Sequence, residues 1–121
     1  MIVMKFGGSS VGDVQRIRSV AQIVKSRLGQ KPVVIVSAVK GITDMLIKLA
    51  NEKGNREKTL QIIKDTHIHI LEKLNLEKSL VDAELNELAK LAKNNADADA
   101  KLLDRFVSFG ERMSSKIVAA Q

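Results

Sequence analysis

The sequence predicts an α/β fold of the parallel type, a βαβ unit followed by helices, and an incomplete one. Three observations carry this. Ile2 to Phe6 and Val33 to Val36 are short aliphatic runs, and the second shows no polar alternation, which is the pattern of a parallel strand buried on both faces. The segment between them has the apolar period of an amphipathic helix. Beyond the second run every periodic segment is helical.

In order, the first strand covers Ile2 to Phe6. Val14, Ile17, Ala21, Val24 and Leu28 follow at spacings of three and four, so a helix is expected, with Gly29 at its C-cap and Pro32 as a stop. Val33 to Val36 is the second strand, reached by a right-handed crossover. A helix starts near Thr43 and turns Leu46, Leu49 and Ala50 inward. Asn51 to Glu57 is polar, contains Gly54 and reads as a loop. Leu60, Ile63, His67, Ile70 and Leu74 mark a third helix, and Leu80, Glu84, Leu88, Leu91 and Ala92, flanked by Val81 and Leu85, a fourth. Residues 94–99 form a linker of turn formers and capping residues. A last helix runs from Ala100 to Ala120, with Leu103, Phe106, Val107, Gly110, Ser114, Ile117 and Val118 near one face. Two parallel strands need more sheet beside them than this, so further sheet or a partner is expected to complete the fold.

With 121 residues, 45% apolar and 28% charged, the chain is of ordinary globular composition and long enough for one modest core. Three Phe and no Trp or Tyr leave that core to aliphatic side chains. The absence of cysteine excludes disulfides, thiolate metal sites and a cysteine nucleophile. No apolar stretch approaches a membrane span, and glycines follow the first lysine where a signal peptide would be apolar, so a cytoplasmic location is expected. The net charge of +6 raises the question of nucleic acid. The basic residues are interleaved with acidic ones and no basic stripe carries stacking aromatics, so neither a nucleic-acid nor a membrane partner is expected.

Residues 5–10 carry the clearest chemistry: Lys5-Phe6-Gly7-Gly8-Ser9-Ser10. A strand that breaks on glycines ahead of a helix exposes N–H groups to an anion, and a lysine adds a point charge suited to phosphate. The segment is neither a Walker A loop nor G-x-G-x-x-G, and a pair of glycines also serves a tight βα turn with no ligand. Ser37 and Thr43 lie off the carboxyl end of the second strand, where open α/β sheets bind ligands; the plain alternative is a strand terminator and a helix cap. Ser108-Phe109-Gly110-Glu111 lies inside the last helix. A glycine there costs about 1 kcal/mol against alanine, which points to close packing, and it leaves Glu111 either facing a cationic ligand or on a solvated helix surface. His67 lies in an apolar stripe and His69 does not share its face, so a core histidine is expected and no metal is assigned to protein ligands.

Lys5-Phe6-Gly7-Gly8-Ser9-Ser10-Val11 resembles the K-F-G-G-[TS]-S-V signature of aspartokinases. Ser37-Ala38 through Gly41-Ile42-Thr43-Asp44 is similar to their second motif, and Ser108-Phe109-Gly110-Glu111-Arg112-Met113-Ser114 to their S-[FH]-G-E-x-x-S helix. The resemblance covers the whole chain and implies an amino-acid-kinase-like αβα sandwich, of which residues 1–121 would be the N-terminal, amino-acid-binding part of a truncated kinase domain with no complete second domain. It implies ATP-dependent phosphorylation of the aspartate β-carboxylate, the first step toward lysine, threonine and methionine. Any Mg2+ would be carried by the nucleotide rather than by residues of this chain. Lys5 would neutralise the transferring phosphoryl, and Phe6, Gly7, Gly8 and Ser9 would line the nucleotide phosphates. Ser37 and Thr43 would line the aspartate pocket, and Glu111 would hold the substrate ammonium.

Ser9 stands where threonine is commoner, which keeps the hydroxyl. The family's Gly-Gly-Ser-Asp segment with its catalytic aspartate, its substrate-gripping arginine and its adenine-binding half have no counterpart in these residues, so the chain alone is expected to be inactive. Association is expected, as a homo-oligomer or with a complementary kinase half. The competing reading is a non-catalytic assembly module that keeps the fold and associates through its open sheet edge. Relatives acting on other acids share the lysine–glycine loop, but they lack the S-F-G-E helix.

Overall fold

The computed structural model describes residues 1–7, 13–93 and 100–121. Strand β1 (Ile2–Phe6) and strand β2 (Pro32–Val36) pair in parallel, Ile2 opposite Pro32 and Phe6 opposite Val36. Helix α1 (Val14–Ser26) forms the crossover between them. Helices α2 (Ile42–Asn51), α3 (Arg56–Lys73), α4 (Asp82–Ala92) and α5 (Ala100–Ala120) follow, with short 3-10 turns at Leu28–Gln30, Lys53–Asn55 and Lys78–Val81. This is the expected βαβ unit followed by helices. The expected linker at 94–99 lies outside the described residues.

The core is centred on α5. Phe106, Phe109, Gly110, Met113, Ser114, Ile117 and Val118 are buried at spacings of three and four, and the helix packs most extensively against α2. Leu46 and Leu49 of α2, Ile63 and Leu71 of α3 and Leu88 of α4 are sealed against it. Ile17, Val20 and Ala21 of α1 are buried as well. With α5 they lie over the sheet face that carries Val34 and Val36.

Three expectations are corrected. The β2 run is not buried on both faces: Val33 and Ile35 are 45% and 47% exposed, as is Val3 of β1 at 59%. Helices cover only one face, and nothing among the described residues covers the other. Helix α1 ends at Ser26, which leaves Leu28 outside it and 60% exposed. The reversal falls at Lys31, left-handed with φ 51°, rather than at Gly29. The polar stretch 51–57 is largely ordered, because α3 begins at Arg56.

Arg56 explains that early start. Its buried guanidinium donates from Nε to the Leu49 carbonyl (2.9 Å), from Nη2 to Ala50 (3.1 Å) and from Nη1 to Ala92 (2.7 Å). It thus satisfies carbonyls at the C-terminal ends of α2 and α4, where the helix dipoles favour a cation. The Phe106 ring lies 5.8 Å from the same group. One side chain therefore ties α2, α3, α4 and α5 together.

Candidate functional site

The site is built where the two parallel strands end. Backbone pairing continues one residue past β2, with Ser37 N–H donating to the Phe6 carbonyl at 3.0 Å. That bond fixes Ser37 beside the residue that precedes Gly7. The chain then buries Ala38 and Val39 and turns at Gly41, whose φ of 84° lies in the left-handed region that glycine enters at least cost. Gly41 is also the N-cap of α2. Thr43 therefore sits exposed in the first turn of α2 and is not its cap, which removes the plain alternative for that residue. No described side chain caps α2.

Helix α5 meets this loop at Gly110. A Cβ built there would lie 2.7 Å from the Ala38 Cβ, 3.1 Å from Leu46 Cδ1 and 3.4 Å from Ile42 Cγ2. The expected close approach is present, and it is made to the loop that carries Ser37. Glu111 is the next residue and is exposed. Its neighbour Arg112 pairs with Glu87 of α4 at 3.2 Å and lies 4.7 Å from the Phe109 ring of its own helix.

Lys5 leaves β1 on the uncovered face, opposite Ile35 and exposed. Gly7 is also exposed, and a Cβ added there would meet nothing within 4 Å. Among the described residues, nothing therefore crowds the end of this strand. Gly8 and Ser9 lie outside the described residues. Phe6, half-buried, anchors the strand end to the core. Gly7 and Ser37 thus follow the two paired strand ends, Thr43 lies in the first turn of α2, and Glu111 follows the Gly110 that packs on Ala38. Lys5 approaches from the face opposite α5.

Sequence reasoning missed one constraint on phosphate. The α1 N-terminus is occupied by its own carboxylate: Asp13 accepts from Arg16 N–H at 2.9 Å, and its other oxygen lies 3.6 Å from Arg16 Nε. An anion approaching that helix end meets a negative charge, whereas Lys5 and Lys40 stand exposed near the strand ends. The signal was legible, since an Asp immediately before a periodic apolar run is an N-cap signature. Arg56 was also missed, and a lone arginine in a polar stretch carries no comparable signal.

His67 is a core residue, as expected. It is fully buried, and Nδ1 lies 2.7 Å from the Ile63 carbonyl, so Nδ1 carries the proton and donates. Burial pushes the imidazole below its ordinary 6.5, with the Ile63 carbonyl opposing the shift. Among the described residues no group of three or more His, Cys, Asp or Glu side chains could hold a metal. No described helix is long and apolar enough to cross a membrane.

Two parallel strands joined by a crossover helix, with helices packed on one face, make this an α/β protein, and the carboxyl edge of its sheet is where such folds bind ligands. The chain belongs to the amino acid kinase family, whose model matches residues 1–121. It is 36% identical over 129 residues to aspartokinase 1, chloroplastic, of Arabidopsis thaliana, a match covering 98% of this chain and 22% of that protein. It is likewise 36% identical over 121 residues to the lysine-sensitive aspartokinase 3 of Escherichia coli K12, covering 95% of this chain and 27% of that one. A crystal structure of E. coli aspartokinase III in complex with aspartate and ADP superposes with a TM-score of 0.80 at 34% identity, over 98% of this chain and 28% of that chain. The chain therefore spans about a quarter of the length of the relatives it matches.

Proposed function

We propose that residues 1–121 form the N-terminal, amino-acid-binding part of an aspartokinase catalytic domain, which transfers the ATP γ-phosphoryl to the β-carboxylate of L-aspartate in amino-acid biosynthesis leading to lysine and threonine. One observation carries the reading. The loop after β2 is bonded to the end of β1 and packed against Gly110 of α5, which supports one site shared by the three motifs. The aspartokinase III structure that matches this chain holds aspartate and ADP, the ligands such an edge would serve.

In this reading Ser37 and Thr43 line the amino-acid pocket, and Glu111 pairs with the substrate ammonium. Lys5 neutralises charge on the transferring phosphoryl, and Phe6, Gly7, Gly8 and Ser9 line the nucleotide phosphates. Lys5 is exposed and no described residue crowds Gly7, which supports a nucleotide phosphate there. ATP, with its Mg2+, supplies the phosphoryl group. A carboxylate nucleophile is already ionised at neutral pH, so no general base is needed and these side chains act by alignment and charge stabilisation. The family's catalytic-aspartate segment has no counterpart in these residues, so the chain alone binds without turnover.

Association belongs to the same proposal. The uncovered sheet face, with Val3, Val33 and Ile35 exposed, supports pairing with a complementary kinase half or a second copy. Calorimetric titration of the chain with L-aspartate and with ADP tests the function. Binding of aspartate that Glu111→Gln weakens is expected, with no aspartate-dependent ADP release in a coupled assay with ATP. Heats indistinguishable from dilution for both ligands would leave only the assembly-module reading.

A further inference from the structure

We infer that Gly110 and Ala38 form a matched size pair that sets the separation between the Ser37 loop and Glu111, making Gly110 a positioning residue for the amino-acid substrate. The inference rests on the assignment of this edge to an amino acid. The geometry is specific about which atom would resist a side chain at 110. The hypothetical Cβ falls 2.7 Å from the Ala38 Cβ, closer than real Cβ atoms approach. The Ala38 methyl is bonded directly to the backbone and has no rotamer by which to withdraw. Leu46 Cδ1 at 3.1 Å is the end of a flexible side chain that can yield, and Ile42 Cγ2 at 3.4 Å is in ordinary contact.

The backbone under Ala38 is also held. Ser37 is bonded to Phe6, Ala38 and Val39 are buried, and Ile42 N–H closes the turn onto the Val39 carbonyl at 3.0 Å. Relief of a clash must therefore come from α5. Carbon–carbon contact sits near 3.5–4.0 Å, so a methyl at 110 displaces the helix by roughly 1 Å at that level. Glu111, one residue further on, moves with it, away from Ser37 and Thr43. A misplacement of about 1 Å is enough to cost on the order of a hundredfold in an aligned site. The pair is reciprocal, because only one of the two positions can carry the methyl.

The test compares wild type, Gly110→Ala, Ala38→Gly and the double variant Ala38→Gly/Gly110→Ala, using amide spectra of the whole chain with and without L-aspartate. In Gly110→Ala the Ser37 and Glu111 amides are expected to shift, and aspartate binding to weaken about tenfold or more while ADP binding is unchanged. Moving the methyl across in the double variant is expected to return the affinity to near wild type, along with the amide shifts of residues not adjacent to either substitution. A general loss of packing would weaken both ligands and would not be repaired by removing a second methyl. Unshifted amides in Gly110→Ala, or a double variant still bound tenfold more weakly, would overturn the inference. Should Gly110→Ala not fold, the double variant decides: folded with near-wild-type affinity it supports the pair, and otherwise it refutes it. If wild type itself shows no aspartate-induced shifts, the amino-acid assignment fails and the substrate role of Gly110 with it, while the ligand-free spectra still decide the size pair.

Discussion

Helices α2 to α5 and strands β1 and β2 draw on the same aliphatic side chains to opposite ends. Leu46, Leu49, Ile63, Leu71, Leu88 and Met113 are sealed inside the helical body, whose helix ends are joined by the buried Arg56. Val3, Val33 and Ile35 of the sheet are about half exposed, on a face that no described element covers. The two regions meet at the candidate site, and each supplies a different part of it. Thr43 and Glu111 stand on helices held by a dry core, and Ser37 on a loop packed against it. Lys5 stands on the open side. In the function proposed above, the difference separates an amino-acid edge on the packed side from a lysine on the open side that further structure can still enclose.

The comparison breaks most readily at Arg56. Arg56→Met leaves buried carbonyls of α2 and α4 without their donor and is expected to cost roughly 3 kcal/mol or more by urea unfolding. A loss under 1 kcal/mol would mean that the helical body does not depend on this residue. A smaller effect follows from His67. Its folded-state value lies below 6.5, so the unfolded chain takes up the proton first; stability is full above about pH 6.5 and falls as pH drops below it. His67→Gln is expected to flatten that fall between about pH 7 and pH 5 in thermal melts, and an unchanged slope would assign the acid sensitivity elsewhere.

Substitutions on the open face should barely touch stability. Val33→Thr and Ile35→Thr are each expected to stay within about 0.5 kcal/mol of wild type in urea. Together they should lower the apparent mass in light scattering if this face carries association; an unchanged mass would place association elsewhere. Lys5→Ala is expected to leave stability within about 0.5 kcal/mol as well, while weakening ADP binding and sparing aspartate. A parallel loss of both ligands would dissolve the division between the two regions.

Much of this was legible in the sequence. The helical periods of α3, α4 and α5 located many of their buried residues, including His67, because burial forces the 3.6-residue period onto the chain. They missed Leu71, Phe109 and Met113 and counted the partly buried Leu60, Leu103 and Val107. Gly110 announced a close approach for the same reason, a helix-interior cost that packing must offset. The β2 run told only half its story: an all-aliphatic strand identifies its sheet type, but whether both faces are covered depends on elements elsewhere. Local contacts also outweighed pattern at the end of α1, where Lys31 rather than Gly29 takes the left-handed turn and Leu28 is left exposed. Arg56 acts on carbonyls of two other helices, a long-range pairing that no local pattern encodes. At the candidate site, the motifs named the residues, and the Ser37–Phe6 bond and the Gly110–Ala38 contact show how the loop after β2 meets β1 and α5.

The central claim is that one edge of this chain receives an amino acid on its helix side and a phosphate on its open side. It is tested most directly by following backbone amides while L-aspartate and then Mg-ADP are added. The predicted result is saturable shifts at residues 37–43 and 110–112 with aspartate, absent in Glu111→Gln, and a second set around Lys5 and Gly7 with the nucleotide, absent in Lys5→Ala. Shifts scattered over the helical body, or none with either ligand, would contradict it.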